Sequence, residues 1–210
     1  MIYSQNGEEA IIDSILKNCG KSTEFFVELG AGDGYHLSNG RDFIDRGWRG
    51  IMIDADNRGN EQVKQHKITR ENVNELLGLH DCPKEFDFLS IDLDGNDYWI
   101  LERILSEYKP KLIIAEFNAS FPIDESKTIK YDPNFSWEGD TYFGFTLKAG
   151  VKLAEKCGYK VIDQHADMNL FMLRNDYAEK LEVEKINYEF LSYNQSDYFR
   201  KSERTDWENV

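Results

Sequence analysis

A glycine-rich loop follows the first apolar run of the chain. Gly30, Gly32 and Gly34 stand at alternate positions, and glycine allows positive φ and lets a ligand approach the main chain. The loop differs from the dinucleotide pattern GxGxxG, because its third glycine comes one residue early and Asp33 would repel a pyrophosphate. Glu28, just before the loop, suits a cationic group such as an ammonium. The loop therefore predicts a ligand site, with an ordinary glycine-rich turn as the alternative.

An acid ends the next apolar run at a spacing typical of a ribose contact. Asp54 lies 24 residues after Gly30, near the distance at which a carboxylate reaches the two vicinal hydroxyls of a ribose. Two acceptor oxygens match two hydroxyl donors. We predict this role for Asp54, with Asp56 as the fallback. A solvated loop acid is the alternative, and the neighbouring glycine loop makes it the weaker one.

Acids and an amide follow two later apolar runs. Asp92 and Asp94 come after one run, and Glu116 and Asn118 come after the next. Hard oxygen ligands of this kind suit Mg²⁺ or another divalent cation, and they would equally suit direct hydrogen bonding to a polar substrate. An EF-hand is excluded, because no bidentate Glu follows at the required distance.

The elements that position these residues alternate between two patterns. Short apolar runs predict buried strands at Phe25–Leu29, Ile51–Asp54, Phe86–Ile91, Leu112–Ala115, Tyr159–Ile162 and Leu170–Leu173. Amphipathic stretches predict helices at Glu8–Asn18, Asn39–Arg46 (capped by Ser38), Asn72–Leu79, Asp97–Glu107 and Phe145–Cys157. This alternation predicts an α/β fold with a mostly parallel sheet and helices on both faces. Ligands bind such sheets beyond the carboxyl ends of the strands, so the polar residues above should converge.

Two segments interrupt the alternation. Residues 117–143 form a long insert rich in aromatic residues, and long structured loops in compact domains are often functional. We predict that this insert lies on the substrate side, with a pocket wall built from Phe121, Trp137, Tyr142 and Phe143. Residues 176–210 form a C-terminal extension of unknown role, for which a terminal helix, an oligomer contact and a frayed tail remain open.

Composition narrows the classes of partner. The chain has 210 residues, 40% hydrophobic residues and a formal net charge of −14. A strongly anionic surface disfavours nucleic acid and acidic membranes, so a small molecule is the expected partner. The three cysteines form no CxxC pair, and no signal peptide or membrane-length apolar run is visible, which predicts a soluble, reduced, cytoplasmic protein. A homo-oligomer remains open.

Taken together, the motifs resemble one family. The matching segments run in order along roughly residues 4–174: SQNGEE (4–9), FVELGAGDG (26–34), HLSN (36–39), GWRGIMIDAD (47–56), FDFLSIDLDGNDYWI (86–100), IIAEFNAS (113–120) and WEGDTYFGFTLKA (137–149). They resemble FkbM-type methyltransferases that depend on S-adenosylmethionine (SAM). The resemblance implies a Rossmann-like class I methyltransferase domain over residues 1–175, followed by the extension. It also implies seven strands ordered 3-2-1-4-5-7-6, with strand seven antiparallel.

The resemblance implies roles for individual residues. The implied cofactor-binding residues are Gln5, Glu28, Gly30, Gly32, Gly34, Asp54, Ile68 and Thr69, with Glu8 as a further candidate. Ile68 and Thr69 would flank the adenine near the third strand. Some small-molecule O-methyltransferases, including the macrocin type, bind metal through acids at the ends of strands four and five. The corresponding residues here are Asp92, Asp94 and Glu116, with Asn118 as a fourth candidate, and the implied ion is Mg²⁺.

The implied reaction is methyl transfer, most simply to an oxygen of a small polar or carbohydrate-type metabolite in carbohydrate or natural-product biosynthesis. A hydroxyl acceptor gains from a general base, and the candidates are Asp92 and His36, with His165 ranked lower. His66 and His80 are interpreted as surface residues. N-methylation, a nucleotide-dependent oxidoreductase and a non-catalytic SAM-binding protein are the alternatives.

Overall fold

Six strands of a seven-stranded sheet run parallel, and their carboxyl ends lie along one edge. The computed structural model describes residues 2–20, 22–166, 168–181 and 200–210. The strands of this sheet are β1 Phe25–Leu29, β2 Arg49–Asp54, β3 Val63–Gln65, β4 Glu85–Ile91, β5 Lys109–Glu116, β7 Tyr159–His165 and β8 Asn169–Arg174. A separate two-stranded antiparallel sheet pairs β6 Lys127–Thr128 with β9 Glu208–Asn209.

The strand order confirms the predicted fold. The large sheet runs β3-β2-β1-β4-β5-β8-β7, and β8 is antiparallel to both of its neighbours. Since β6 belongs to the small sheet, the strands of the large sheet read 3-2-1-4-5-7-6 when counted alone, with the seventh antiparallel. The chain therefore has the Rossmann-like methyltransferase fold.

The central strands are buried on both faces, which is why they read as continuous apolar runs. Successive side chains point to opposite faces of the sheet. In β1, Phe26 joins the apolar cluster on one face, whereas its neighbours Phe25 and Val27 join the cluster on the other. Phe26 stacks on Phe88 of β4 with ring centroids 5.0 Å apart. The central strands are therefore held between two apolar clusters, one on each face of the sheet.

The helices lie close to their predicted positions. They are α1 Glu8–Cys19, α2 Arg41–Asp45, α3 Val73–Leu79, α4 Asp97–Leu105, α5 Leu147–Cys157 and α6 Asn175–Lys180. The N-cap position of α2 is Gly40 rather than the predicted Ser38, although the Ser38 Oγ accepts from the Arg41 N–H at 3.0 Å. Accordingly, α2 begins at Arg41 rather than at Asn39. Among the described residues, none of these helices has both the length and the hydropathy that a membrane crossing requires.

Two further segments bear on the predictions. The third strand is Val63–Gln65, so Ile68 and Thr69 lie just beyond its end, which is near the third strand as the resemblance implies. Of the predicted C-terminal extension, residues 182–199 lie outside the described residues, so the prediction for them stays open. Its first residues form α6, which packs against β7 and β8.

The last described segment, residues 200–210, packs on the insert. Besides the pairing of β9 with β6, Trp207 lies against Phe121 and Tyr142 with ring centroids 4.6 and 4.8 Å away. The Thr141 N–H donates to the Arg200 carbonyl at 3.0 Å. Residues 200–210, which are distant in sequence, thus stabilise the insert.

Candidate active site

A cavity of about 750 Å³ opens at the carboxyl edge of the sheet. Its size lies in the range typical of small-molecule sites. The ends of β1, β2, β4 and β5 form its floor, and the insert forms one wall. Eleven predicted site residues line it: Gln5, Gly30, Gly32, His36, Asp54, Ile68, Asp92, Asp94, Glu116, Trp137 and Phe143.

The glycine loop fits closely between two strand ends. Gly30 has φ +83°, and a Cβ built on it would lie 1.6 Å from the Asp92 carbonyl oxygen. Only glycine lets the chain leave β1 this close to β4. Gly32 also has positive φ, at +52°, but a Cβ there would meet no atom within 4 Å. Gly32 also lines the cavity, so a ligand can approach the main chain of the loop there.

Asp54 connects the end of β2 to the glycine loop. Its carboxylate accepts from the Gly32 N–H at 2.8 Å and from the Asp56 N–H at 2.9 Å. Asp54 also lines the cavity, whereas Asp56 does not. The predicted loop and the predicted acid therefore form one continuous surface, which is the arrangement a shared ligand would need.

The position of Glu28 corrects one prediction. Glu28 is buried and does not line the cavity, so in this geometry it does not face a ligand ammonium. Its carboxylate accepts from the Ser38 hydroxyl at 2.7 Å and from the N–H groups of Asn39 (2.7 Å) and Gly40 (3.3 Å). Burial raises the pKa of Glu28 to about 7. The carboxylate holds the segment between the glycine loop and α2 in place.

Gly34 and Thr69 also lie behind the cavity surface. A Cβ on Gly34 would meet the side chains of Val63 and Asn60 at 2.8 and 2.9 Å, so this glycine permits close packing of the loop on β3. The Thr69 N–H donates to Asn72 Oδ1 at 2.8 Å in the turn that leads into α3. Gly34 and Thr69 were both expected to contact the ligand, but neither lines the cavity, and both contact other parts of the protein instead. Ile68, the neighbour of Thr69, does line the cavity.

Asp92, Asp94 and Glu116 converge as predicted from the strand order. One carboxylate oxygen from each lies within 4.8 Å of the others. Asp92 and Asp94 open into the cavity, but the dense protein around them still disfavours their ionised forms. Burial, followed by the negative charges of Asp97 and Asp94, raises the pKa of Asp92 to about 7. Burial and the Asp92 charge also raise the pKa of Glu116 well above its usual range.

Asp97 and Asn96 build the turn that carries Asp94. Asp97 is buried and accepts from the N–H groups of Leu93 at 2.7 Å and Gly95 at 2.9 Å. Burial raises the pKa of Asp97 to about 6. The turn forces Asp94 to φ +54°, a strained conformation for a residue with a side chain. Asp97 therefore stabilises the turn, whereas Asn96 also lines the cavity.

Two other predicted residues are turned away from the cavity. Asn118 is buried, and its amide donates to the carbonyls of Thr141 at 2.9 Å and Phe143 at 3.0 Å. Its oxygen accepts from the Ser120 N–H, so Asn118 fastens the ends of the insert rather than offering a metal ligand. Tyr142 is also buried, as the centre of the insert's own packing, and the predicted pocket wall is reduced to Trp137 and Phe143.

The histidines divide between the cavity and its surroundings. His36 is exposed at the cavity rim, where its backbone N–H donates to the Asp33 carboxylate. His165 does not line the cavity; its ring contacts the Asn6 carbonyl at 3.1 Å. The surface assignment of His66 and His80 is wrong, because both are half-buried with their Nε2 atoms 3.1 Å apart, and His66 lines the cavity.

The N-terminal segment closes another side of the cavity. Gln5 lines it, as predicted. Glu8 is buried and accepts from the Asn6 N–H at 2.8 Å and from the Asn169 amide at 3.1 Å. Glu8 therefore holds the segment against β8.

Several residues that line the cavity were not predicted from the sequence. They are Leu37, Ala55, Arg58, Lys67, Leu93, Asn96, Ile100, Pro133, Asn134, Phe135, Ser136 and Met168, besides His66. Arg58 and Lys67 carried a usable signal, since each is a charged residue a few positions beyond a strand end. Residues 133–137 form a continuous run along the wall, which their sequence does not indicate.

The fold has known relatives among solved structures, but no family model and no curated protein matches the chain. Among solved structures, it is similar to magnesium protoporphyrin IX methyltransferase from Synechocystis PCC 6803 with bound SAM (12% identity, TM-score 0.41, 80% of each chain covered). It is also similar to an amino pentose methyltransferase from Micromonospora echinaspora (12% identity, TM-score 0.45, 80% of this chain and 91% of that chain). A third similar structure is an O-methyltransferase family protein from Burkholderia thailandensis (9% identity, TM-score 0.40, 83% and 64%).

Proposed function

We propose that this chain is a SAM-dependent methyltransferase that methylates an oxygen of a small polar or carbohydrate-type molecule. The observation that carries the proposal is the bond between the Asp54 carboxylate and the Gly32 N–H at the surface of the cavity. It joins a ribose-type acid to a loop whose main chain is open to a ligand. An acid inside the loop, Asp33, disfavours the pyrophosphate of a dinucleotide, which distinguishes SAM from NAD.

The lining residues suit the parts of SAM. Main-chain groups of the glycine loop, together with Gln5, would hold the methionine portion. Asp54 would accept hydrogen bonds from the ribose hydroxyls, and Ile68 would contact the adenine. These groups come from separate strand ends, so the ligand would lie across the carboxyl edge of the sheet.

The chemistry requires little from the protein beyond positioning and proton removal. Bound SAM supplies an activated methyl group. The cavity would orient the acceptor hydroxyl, and Trp137 and Phe143 would exclude water from its surroundings. Asp92 would accept the hydroxyl proton, since its raised pKa makes the carboxylate a stronger base than an ordinary aspartate. His36, at the rim, is the second candidate base.

The same acids would also hold a divalent cation. Asp92, Asp94 and Glu116 offer three hard oxygen ligands within reach of one ion, and Glu116 Oε2 is buried without a hydrogen-bond partner. Mg²⁺ would neutralise their mutual repulsion, lower the pKa of all three carboxyls and favour the deprotonated acceptor oxygen. We include the cation as an optional part of the proposal; with it bound, Asp92 would serve as a ligand and His36 would be the candidate base.

A calorimetric titration of the purified protein with SAM tests the proposal. We expect stoichiometric binding in the micromolar range, no comparable binding of NAD, and strongly weakened SAM binding in Asp54→Ala. Asp56→Ala is the matched control, because Asp56 follows the same strand without lining the cavity. A folded protein that binds no SAM would overturn the proposal, and an Asp54→Ala variant with wild-type affinity would remove Asp54 from the site.

The metal component is tested by titrating metal-free protein with Mn²⁺ and Mg²⁺. We expect one site that is weakened in Asp94→Asn, because this variant removes a charge at an exposed position of the cluster. Equal binding to both proteins would place any ion elsewhere.

A further inference from the structure

Two histidine side chains that the proposed methyl transfer does not use lie against each other beside the cavity. His66 and His80 are both half-buried, and their Nε2 atoms lie 3.1 Å apart. His66 lines the cavity, whereas His80 does not. Neither side chain belongs to the acid cluster, so the pair is a second group of potential metal ligands.

Backbone hydrogen bonds hold the two histidines at the ends of separate elements. His66 follows β3, and its N–H donates to the Asp54 carbonyl at 2.8 Å. His80 follows α3, and its N–H donates to the Leu76 carbonyl at 3.2 Å. The two residues are 14 positions apart in sequence, so the fold rather than a local turn sets the distance between their ring nitrogens.

The distance between the two nitrogens is that of neighbouring ligands on a transition-metal ion. Zinc binds histidine nitrogen at about 2.0–2.1 Å, which places two such ligands about 2.8–3.4 Å apart in square-planar or tetrahedral geometry. Both ligands must be neutral imidazoles, and His80 favours that form because burial and the nearby His66 lower its pKa. Without an ion, the two Nε2 atoms share one proton in one hydrogen bond. An ion takes its place once the donating imidazole carries its proton on Nδ1 instead.

The surroundings of the pair leave room for further ligands. The charges of Lys64 and Asp81 act on His80 in opposite directions. The C-terminal end of α3 adds a partial negative charge beside His80, which favours a bound cation. Among the described residues, no third histidine, cysteine or carboxylate joins the pair within ligating reach. Water would therefore complete the coordination of an ion held there.

We propose that His66 and His80 form a binding site for a divalent transition-metal ion such as Zn²⁺, Ni²⁺ or Cu²⁺. Imidazole ligands suit these ions, whereas the carboxylates of the acid cluster suit Mg²⁺ or Mn²⁺. The bound ion connects the segment that follows β3 with the end of α3 at one side of the cavity. The site does not depend on the proposed methyl transfer, because neither histidine takes part in it.

The experiment records the electron paramagnetic resonance spectrum of the full chain with a substoichiometric amount of Cu²⁺ at neutral pH. We expect superhyperfine splitting from two imidazole nitrogens in the wild type. His66→Gln and His80→Gln should each lose the two-nitrogen pattern. The wild-type pattern should persist in His36→Gln, which removes a histidine of the cavity outside the pair, and in Asp94→Asn, which alters the acid cluster.

Calorimetric titration with Zn²⁺ measures the change in affinity. Loss of a residue that only orients a metal ligand costs about 10–100-fold in metal affinity, so loss of a ligand in His66→Gln or His80→Gln should cost at least as much. Melting temperatures establish which variants are folded, and the wild-type spectrum decides the question even where one is not. A wild-type spectrum with fewer than two nitrogens would overturn the proposal, as would unchanged Zn²⁺ affinity in either variant.

Discussion

Two glycines of the same loop should respond differently to the same substitution. Gly30→Ala and Gly32→Ala both place a side chain at positive φ, which costs about 1–2 kcal/mol. At Gly32 nothing else opposes the methyl group, because no atom lies within 4 Å. At Gly30 the methyl group would overlap the Asp92 carbonyl at 1.6 Å, so the two strand ends must separate.

Separation of these strand ends has a calculable cost. It weakens the bond from Gly30 N–H to the Ile53 carbonyl and the bond from Asp92 N–H to the Leu29 carbonyl, each 3.0 Å long. At about 1 kcal/mol for each bond, added to the backbone strain, Gly30→Ala should lower the free energy of unfolding by about 3–4 kcal/mol. Gly32→Ala should lower the free energy of unfolding by only about 1–2 kcal/mol.

Urea denaturation followed by circular dichroism measures both losses, and calorimetry measures SAM binding. Gly32→Ala should remain folded and yet bind SAM much more weakly, because it adds a methyl group at a position that lines the cavity. Equal stability losses in the two variants would refute the argument from overlap. Wild-type SAM affinity in Gly32→Ala would refute the assignment of that open space to the ligand.

Three further predictions concern the supports of the site. Burial raises the pKa of Glu28 to about 7 from an ordinary 4.5, so the contribution of Glu28 to the free energy of unfolding falls as the pH rises from 4.5 to 7. In urea titrations, the stability of Glu28→Gln relative to the wild type should therefore increase by about 3 kcal/mol between pH 4.5 and 8. A stability difference that does not depend on pH would contradict this. Trp207→Ala removes the ring that lies against Tyr142, so amide hydrogen exchange in residues 120–143 should become faster while β1 to β5 stay protected. Unchanged exchange in residues 120–143 would show that residues 200–210 do not stabilise the insert. Asp87→Ala should cost about 3–5 kcal/mol in urea unfolding, because it removes one partner of the buried ion pair with Lys111, and a loss below 1 kcal/mol would be inconsistent with that pair.

The acidic cluster was predictable from local patterns combined with one rule of topology. Asp92 and Glu116 each end an apolar run, and parallel strands bring their carboxyl ends to one edge. The sequence could therefore predict their convergence without any knowledge of distances. Asp54 and the glycine loop follow the same rule, since β2 and β4 flank β1.

The direction of individual side chains was not predictable in this way. Asn118 has the chemistry of a ligand, but the carbonyls of Thr141 and Phe143 reach it only after the insert folds back. Glu28 stands beside the glycine loop in sequence, yet the donors at residues 38–40 draw its carboxylate into the interior. Buried polar groups take whichever partners folding brings near, and those partners are often far along the chain.

The sequence by itself determined the periodicity of burial, the positions of the strand ends and the chemistry placed there, because these depend on local pattern and on sheet geometry. Only the tertiary structure determined which residues of the insert line the cavity and what holds them there. Residues 133–137 enter it through contacts with Asn96 and Lys67, and residues 200–210 support the insert through Trp207. Such contacts join segments without a repeating pattern, so their geometry arises from packing alone.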